Sequence, residues 1–356
     1  MTLPSASHIL FSGALLALGG VVGYGLSFLG TPLPYMLGAL LAAALAVAFG
    51  QSYFPEGYAF PMSMRELFVG VIGTMIGAQV NPDFLSLLPL LALTGPAVLI
   101  FVALAHALNF QVFRRLGGYD APTAYYAGAP GGLIESIAFG EEHGADLRIL
   151  TLMQFLRIIV VVTVVPFGIS LWEGHAVGSA AGVMGPSGDW SWYDLPLIFA
   201  IGLLGQWIGR RLKLPASILT GPLLVMGILA ASGLVSVVLP PWLVALAQVV
   251  LGTGLGLRFI GMTRAMFVKG IGLSCVSVAM MLALGIALSA ILHAIGGLPV
   301  DMLLISFAPG GVTEMSLIAL SLAANPAFVT LHHVLRISLT VIGMSLGQRL
   351  NIVRLS

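Results

Sequence analysis

The chain has 356 residues, and its 14 Lys and Arg against 13 Asp and Glu give a formal net charge of only +1. Hydrophobic residues make up 59% of the chain and charged residues 8%, and the mean hydropathy is +1.07. Because soluble globular domains carry about 25% charged residues, this composition excludes a soluble protein and leaves no room for a soluble catalytic or nucleic-acid-binding domain.

Twelve apolar segments follow one another along the chain, six in each half. Most are long enough to cross a bilayer, which takes about 20 residues. In the first half they cover residues 8–29, 33–49, 64–80, 84–113, 121–142 and 145–171. In the second half they cover residues 195–212, 216–234, 241–257, 266–295, 300–322 and 324–350. Pro-Gly-Gly interrupts the fifth segment of each half, which predicts two short half-helices there.

The two halves are copies of one unit. A shift of 179 residues superposes Ala-Pro-Gly-Gly at 129–132 on the same letters at 308–311, and it also superposes a glutamate and an arginine that follow. Five long segments per copy is an odd number, so the second copy would be inverted, as in many secondary transporters. The sequence thus predicts an all-α integral membrane protein of two inverted repeats, 1–172 and 193–356, joined by a periplasmic linker at 173–192. Each repeat has five transmembrane helices and one re-entrant or broken Pro-Gly-Gly hairpin, about ten spans and two hairpins in all.

Lys and Arg indicate the orientation, because they prefer cytoplasmic loops. If the N-terminus is cytoplasmic and the interrupted segments enter and leave on one side, twelve basic residues lie inside and none outside. If those segments cross, five stay inside and seven move out. The first arrangement predicts a multi-pass protein of the bacterial inner membrane with both termini cytoplasmic. The twelve are Arg65, Arg114, Arg115, Arg148, Arg210, Arg211, Lys213, Arg258, Arg264, Lys269, Arg349 and Arg354.

The Pro-Gly-Gly tips are the first candidate binding groups. Irregular backbone at membrane depth is tolerated only where protein or a water-filled cavity covers it. Glycines at the tips, Gly131 and Gly132 in the first copy and Gly310 and Gly311 in the second, would let a ligand approach backbone N–H groups. A helix N-terminus carries a partial positive charge, so two such ends favour an anion or a carboxylate. The alternative is a tight turn that only packs.

Four charged residues recur at matching places in the copies. Glu135 and Glu314 follow the tips by one turn, and Arg157 and Arg336 lie well inside the next helices. A charged residue at the bilayer centre costs about 2.5 to 3.5 kcal/mol even on a lenient scale, so four of them need a reason. One reason is substrate binding by the arginines and ion coupling by the glutamates. The other is two Glu–Arg pairs that lock the hairpins to their neighbours.

The copies differ one turn before the arginine, where Met153 and Gln154 align with His332 and His333. A histidine titrates near neutral pH, so both are candidates for proton coupling, with a hydrogen bond into the helix bundle as the alternative. Neither a metal site nor a cofactor is predicted, because two adjacent histidines without a nearby carboxylate make a weak metal site.

The doubled Ala-Pro-Gly-Gly-x-x-Glu motif, with the following helices that bear Arg157 and Arg336, resembles the AbrB duplication family of bacterial membrane proteins over essentially the whole chain. Members are labelled regulators of gene expression or ammonia monooxygenases, but the sequence contains neither a soluble basic segment nor a cluster of metal ligands. The layout from Pro130 to Arg157 also resembles the Pro-Gly-Gly region of bile-acid symporters, and residues 32–38 resemble the second helix of cation-proton antiporters. In those families the broken helix crosses the membrane and meets its twin, which leaves crossing as the alternative to a hairpin.

These features favour an elevator-like secondary transporter that moves a small anionic or zwitterionic solute, driven by H⁺ or Na⁺. The alternative is a membrane sensor that regulates gene expression through a partner protein. An enzyme is not predicted, because no nucleophile–base pair or metal cluster stands out. The expected partners are the lipid bilayer and a small molecule or ion, with no direct binding of nucleic acid, and a homodimer is compatible with the sequence.

Overall fold

The computed structural model describes residues 6–80, 89–174, 190–322 and 324–349, and in these ranges the chain is helical. The predicted linker at 173–192 lies largely outside them. The helices of the first half are α1 (Ala6–Phe28), α2 (Pro34–Gly50), α3 (Met62–Gly77), α4 (Leu91–Gln111), α5 (Ala121–Ala127), α6 (Leu133–Glu142) and α7 (Leu147–Glu173). Those of the second half are α8 (Asp194–Arg211), α9 (Ser217–Ala231), α10 (Pro241–Gly256), α11 (Arg264–Gly296), α12 (Val300–Phe307), α13 (Val312–Ser321) and α14 (Pro326–Arg349).

Within the described residues, seven helices are long and apolar enough to cross a membrane. They are Ser7–Phe28, Pro34–Tyr53, Leu91–Leu116, Leu147–Trp172, Pro241–Phe259, Arg264–Gly296 and Pro326–Arg349. Three other predicted spans are shorter or more charged: α9 has 15 residues, α3 has 16, and α8 contains one acidic and two basic residues. This is the composition of a multi-pass membrane protein.

The order of the helices repeats, so that α1 to α7 correspond one for one to α8 to α14. Unusual backbone geometry repeats with it. Gly118 and Gly297, which the shift of 179 residues aligns, both have φ of +66°. Leu33 and Ala216, which immediately precede the second helix of each half, have φ of +45° and +49°. Left-handed backbone is uncommon for residues other than glycine, so its occurrence at matching points indicates that the two halves share local structure.

The chain divides into two compact units, and each takes segments from both halves. The first unit contains Met1–Asp83, Pro166–Gly261 and Ser316–Ala327. The second unit contains Phe84–Val165, Met262–Met315 and Phe328–Ser356. The first unit therefore holds the first three helices of each half, and the second unit holds most of the remaining four.

In the first unit, each second helix packs between the first helix of its own half and the third helix of the other half. Accordingly α2 contacts α1 and α10, and α9 contacts α8 and α3. Glycines make these contacts close, since a Cβ on Gly252 would overlap the carbonyl oxygen of Met36, and one on Gly73 would overlap that of Leu219. Small residues that allow backbones to approach are typical of helix pairs in membranes, where packing replaces the hydrophobic effect.

Candidate functional site

The first interrupted segment folds back on itself as a hairpin in the second unit. The base is closed where the amide N–H of Asp146, beyond α6, donates to Thr123 Oγ1 in the first turn of α5 at 2.7 Å. Farther up, the rings of Tyr126 and His143 lie 5.6 Å apart between centroids. The two half-helices thus lie side by side with Pro-Gly-Gly at the turn, which supports the predicted hairpin rather than two halves in one line.

Acidic caps fix the base of this hairpin. Asp120 accepts from the amide of Thr123 at 2.9 Å and caps α5. Asp146 accepts from the amides of Arg148 at 2.9 Å and Ile149 at 3.2 Å, and so caps α7. Between the membrane-spanning segments, burial raises the pKa of Tyr119 and the nearby Asp146 carboxylate raises it further, so this ring stays neutral at physiological pH.

From this base, α7 runs along the hairpin and donates hydrogen bonds to the backbone that leads to the tip. Gln154 Nε2 lies within 3.3 Å of the carbonyl oxygens of Tyr126, Ala127 and Ala129. One turn later, Arg157 Nη1 donates to Ala129 O. The carbonyls of Tyr126 and Ala127 belong to the end of α5, where a helix leaves acceptors unsatisfied, and that of Ala129 follows the helix. Ten residues of helix at 1.5 Å each place Arg157 about 15 Å from the start of α7, near half the thickness of a bilayer core.

The second interrupted segment is held in the same way by α14. His333 Nε2 donates to Ile305 O at 3.0 Å, and Arg336 donates through both terminal nitrogens to the carbonyls of Ala308 and Gly310. In each half, the polar residue and the arginine both reach a carbonyl 28 residues earlier in the chain. The pair Gln154 and Arg157 is therefore equivalent to His333 and Arg336 in contacts as well as in sequence.

The first tip also meets the helix that holds the second. A Cβ placed on Gly131 would lie 3.3 Å from Thr340 Oγ1 and 3.4 Å from the Cα of Ile337, which directly follows Arg336. The guanidinium groups of Arg157 and Arg336 are close enough to repel each other electrostatically. Both side chains are buried, with 6% and 2% of their surface exposed. The structure thus brings together the two predicted arginines and the two tips.

Glu135 and Glu314 do not pair with these arginines. In the described part of the chain the guanidinium groups bond to backbone carbonyls, and no Glu–Arg ion pair forms at either tip. Instead, each carboxylate folds back on the glycine that precedes its own half-helix. Glu135 Oε2 lies 3.4 Å from the Cβ position of Gly132, and the Glu314 carboxylate overlaps the Cβ position of Gly311. An acid in the first turn stabilises the positive end of a helix, so the proposed lock of two Glu–Arg pairs is wrong.

The tip glycines have different environments. Gly132 has φ of +64°, which a residue with a side chain rarely adopts, and it begins α6 without a side-chain cap. Gly131 lies against α14. A Cβ on Gly310 would come within 2.7 Å of the Met315 side chain, and Gly311 is occupied by Glu314. The backbone therefore disfavours a side chain at Gly132, and a Cβ at Gly131, Gly310 or Gly311 would meet neighbouring side chains, whether or not a ligand also approaches.

The two predicted histidines differ in their hydrogen bonds. His332 Nδ1 bonds to Phe328 O at 2.9 Å, and its Nε2 bonds to Thr94 Oγ1 of α4 at 2.8 Å, so both ring nitrogens are engaged. His333 uses Nε2 for Ile305 O, and its buried Nδ1 has no hydrogen-bond partner among the described residues. Of the two, only His333 holds a tip.

The fourth helix, α4, contributes two polar groups that are not among the predicted site residues. His106 Nε2 bonds to Tyr125 O at 2.9 Å, and Asn109 Nδ2 donates to Gly128 O at 3.0 Å, next to the first tip. Asn109 Oδ1 accepts from Ser277 Oγ of α11 at 2.8 Å. Polar residues one turn apart on the helix before an interrupted segment were the available signal for this support.

A cavity of about 620 Å³ lies in the first unit. It is lined mainly by apolar side chains of α1, α3 and α8, and at its edge Arg210 Nη2 pairs with Glu66 Oε2 at 2.6 Å. None of the predicted site residues lines it.

A family model described as "Transition state regulatory protein AbrB" matches residues 35–351. The chain is 27% identical over 350 residues to the "Uncharacterized protein YhjN" of Bacillus subtilis (strain 168), covering 92% of this chain and 89% of that protein. It is 26% identical over 202 residues to the "Putative regulator AbrB" of Escherichia coli (strain K12), covering 53% of this chain and 54% of that protein. No solved structure matches. The family match covers most of the chain and agrees with the doubled motif, and the chain belongs to the AbrB family.

Proposed function

We propose that the protein is an elevator-like secondary transporter that moves a small anionic or zwitterionic solute across the bacterial inner membrane, coupled to H⁺ or Na⁺. One observation carries the proposal. The buried guanidinium groups of Arg157 and Arg336 lie at the tips of two interrupted helices and repel each other electrostatically. Neither has a carboxylate partner in the described part of the chain.

The energetics of this centre favour an anion. An arginine at the bilayer centre costs about 2.5 to 3.5 kcal/mol even on a lenient scale, and two like charges in a medium of low dielectric add repulsion. Backbone carbonyls of the tips offset part of this cost as dipoles, but they carry no net charge. A bound anion would offset the rest. The positive ends of α6 and α13 would add to its stabilisation.

The division into units supports an elevator, in which one unit carries the solute. Every predicted binding or coupling residue belongs to the second unit, including both tips, both arginines, both glutamates and both histidines. A site contained in one unit can move as a whole, because the groups that hold the solute keep their mutual distances.

The glutamates suggest how an ion could be coupled. Glu135 and Glu314 already place their carboxylates at the positive ends that an anionic solute would approach. A solute anion and an ionised glutamate repel each other there, so protonation of the glutamate would favour binding. Proton and anion would then load together. The same carboxylates would be the ligands of a coupling Na⁺, since that ion prefers oxygen donors.

The alternative function is a sensor that binds the solute and signals through a partner. It is motivated by the names of the family and of the Escherichia coli relative, which speak of regulation. The same charged centre would serve a sensor. The difference is that a sensor binds without moving the solute.

Flux into proteoliposomes tests the proposal, with purified protein and candidate organic and inorganic anions. We expect Arg157→Gln and Arg336→Gln each to abolish binding and flux. Arg210→Gln is the matched control, because this half-exposed arginine pairs with Glu66 in the first unit. Wild-type flux in either site variant would contradict the assignment, and tight binding with no flux would favour the sensor.

Coupling is tested in the same vesicles with Glu135→Gln and Glu314→Gln. If these residues carry protons, the variants keep solute binding, and their flux no longer responds to an imposed pH gradient. A response equal to that of the wild-type protein would remove the glutamates from the coupling mechanism.

A further inference from the structure

Four buried polar atoms beside the tips have no hydrogen-bond partner among the described residues. They are Gln154 Oε1, Arg157 Nε, His333 Nδ1 and Arg336 Nε. All four belong to side chains that are at least nine-tenths buried. Buried polar atoms are nearly always hydrogen-bonded, so a matching set in two equivalent places needs an explanation.

The chemistry of these atoms follows from the bonds that the same side chains already make. Gln154 turns its amide nitrogen toward three carbonyl oxygens, which leaves its oxygen as an acceptor. His333 directs Nε2 at Ile305 O, so a neutral ring donates there and leaves Nδ1 as a bare acceptor. The arginine Nε–H groups are donors. Each tip therefore presents one unused acceptor and one unused donor, a single helical turn apart.

We infer that the solute site selects a small oxyanion that carries its own hydroxyl group, such as hydrogen phosphate or an α-hydroxy acid. This inference rests on the proposed function and specifies its substrate class. Ionised oxygens of such an anion accept from Arg157 Nε and Arg336 Nε, and its hydroxyl donates to Gln154 Oε1 or His333 Nδ1. A fully ionised anion such as sulfate has no hydrogen for either acceptor.

Electrostatics disfavour the other way of supplying a donor, which is the ammonium group of a zwitterion. Both free acceptors lie one helical turn from an arginine, and the two arginines reinforce each other's positive field. A cationic ammonium placed against Gln154 or His333 would be repelled, whereas a neutral hydroxyl would not. The site therefore favours a hydroxylated anion over an amino acid.

Matched ligand pairs test the inference by titration calorimetry on the purified full-length protein. Phosphate and sulfate at mildly alkaline pH both carry two charges and differ in one hydrogen, and lactate and propionate differ in one hydroxyl. Glycine probes the zwitterion. We expect at least one hydroxylated member to bind on the order of 100-fold more tightly than its partner, since sites built around a substrate hydroxyl discriminate strongly against analogues that lack it.

Variants identify the residue that discriminates phosphate from sulfate. Gln154→Lys keeps a donor for the tip carbonyls and removes one of the two acceptors, so the preference for phosphate over sulfate should fall. Gln206→Lys is the matched control, because this buried glutamine also donates to a backbone carbonyl, that of Glu66 at 2.6 Å, but belongs to the first unit. Its preference should stay as in the wild-type protein. The wild-type comparison of phosphate with sulfate needs no variant and decides the question even if Gln154→Lys does not fold.

The outcomes separate the inference from the proposed function. Equal binding of both members in each pair, binding of glycine alone, or binding of none of the five probes overturns the inference. Transport of sulfate or glycine would do so while leaving the proposed transporter intact. Selective binding of phosphate or lactate without any flux would support the inference and overturn transport.

Discussion

The two tip arginines should differ in their contribution to stability although they share a role in binding. Arg336 is the donor to two carbonyls, those of Ala308 and Gly310, whereas Arg157 bonds to Ala129 O, which Gln154 also reaches at 3.2 Å. Replacing Arg336 with methionine leaves two buried carbonyls without that donor, at about 1 to 3 kcal/mol each. Replacing Arg157 leaves Ala129 O with its glutamine.

Both substitutions remove one buried charge, and the stabilisation that results from this removal cancels when the two variants are compared. We expect Arg336→Met to lower the free energy of unfolding by about 2 to 6 kcal/mol more than Arg157→Met. For a chain of 356 residues, at about 2.1 cal/mol/K of unfolding entropy per residue, this corresponds to a melting temperature lower by about 3 to 8 °C. Thermal melts of the purified variants in one detergent measure the difference. Equal melting temperatures, or a lower one for Arg157→Met, would refute the hydrogen-bond assignment.

Three further predictions concern charge pairing, packing and orientation. Because Glu135 and Arg157 form no ion pair, a double-mutant cycle between Glu135→Gln and Arg157→Gln should give a coupling energy below about 0.5 kcal/mol. A coupling energy of about 3 to 5 kcal/mol, the cost of breaking a buried ion pair, would show that the two residues do pair. Gly221→Val should prevent assembly of the first unit, since even a Cβ there overlaps the backbone of α8, so a monodisperse, fully folded variant would contradict this packing. A cysteine introduced for Arg148 on a Cys275→Ser background should resist labelling from the periplasm, because both termini and this loop are predicted to be cytoplasmic. Labelling of this cysteine from outside in intact cells would contradict the predicted orientation.

The doubled motif made the repeat and the hairpin predictable. The repeat was visible as letters at a constant shift, and the fold-back of the first hairpin follows from a Pro-Gly-Gly interruption too central for either half to span a membrane. Asp146 could be recognised as a cap because an acid before an apolar run satisfies free amides at a helix start. These features depend on side-chain type and local spacing, which a sequence displays directly.

The partners of the arginines could not be predicted in this way. Glu135 and Arg157 have opposite charge, so pairing them was the simplest hypothesis from residue types. The actual partners are backbone carbonyl oxygens. Every residue has one, so the residue types do not indicate which carbonyl an arginine contacts. The distinction between His332 and His333 is hidden for the same reason, since it depends on which ring nitrogen meets Phe328 O or Ile305 O.

In a membrane protein, a position in an apolar segment also does not indicate that a residue is buried. Cys275 lies in an apolar run, and a free cysteine is usually buried, but this one is exposed on α11. In lipid an apolar side chain gains nothing by leaving the surface, so hydrophobicity alone does not tell the outside of a helix from the inside. The division into two units was hidden as well, because it depends on contacts between helices of different halves.

In the first unit, helices of one half pack against helices of the other half, and this imposes an order on assembly during synthesis. α2 ends at Gly50, and its packing partner α10 begins only at Pro241, about 190 residues later. At about 5 to 20 residues per second, α2 waits on the order of 10 to 40 s for that partner to be made. α9 does not wait, because α8 and α3 both precede it. The small-residue face of α2 therefore stays open to lipid or to the insertion machinery while half the protein is still being translated, and α2 completes its packing only after α10 is made.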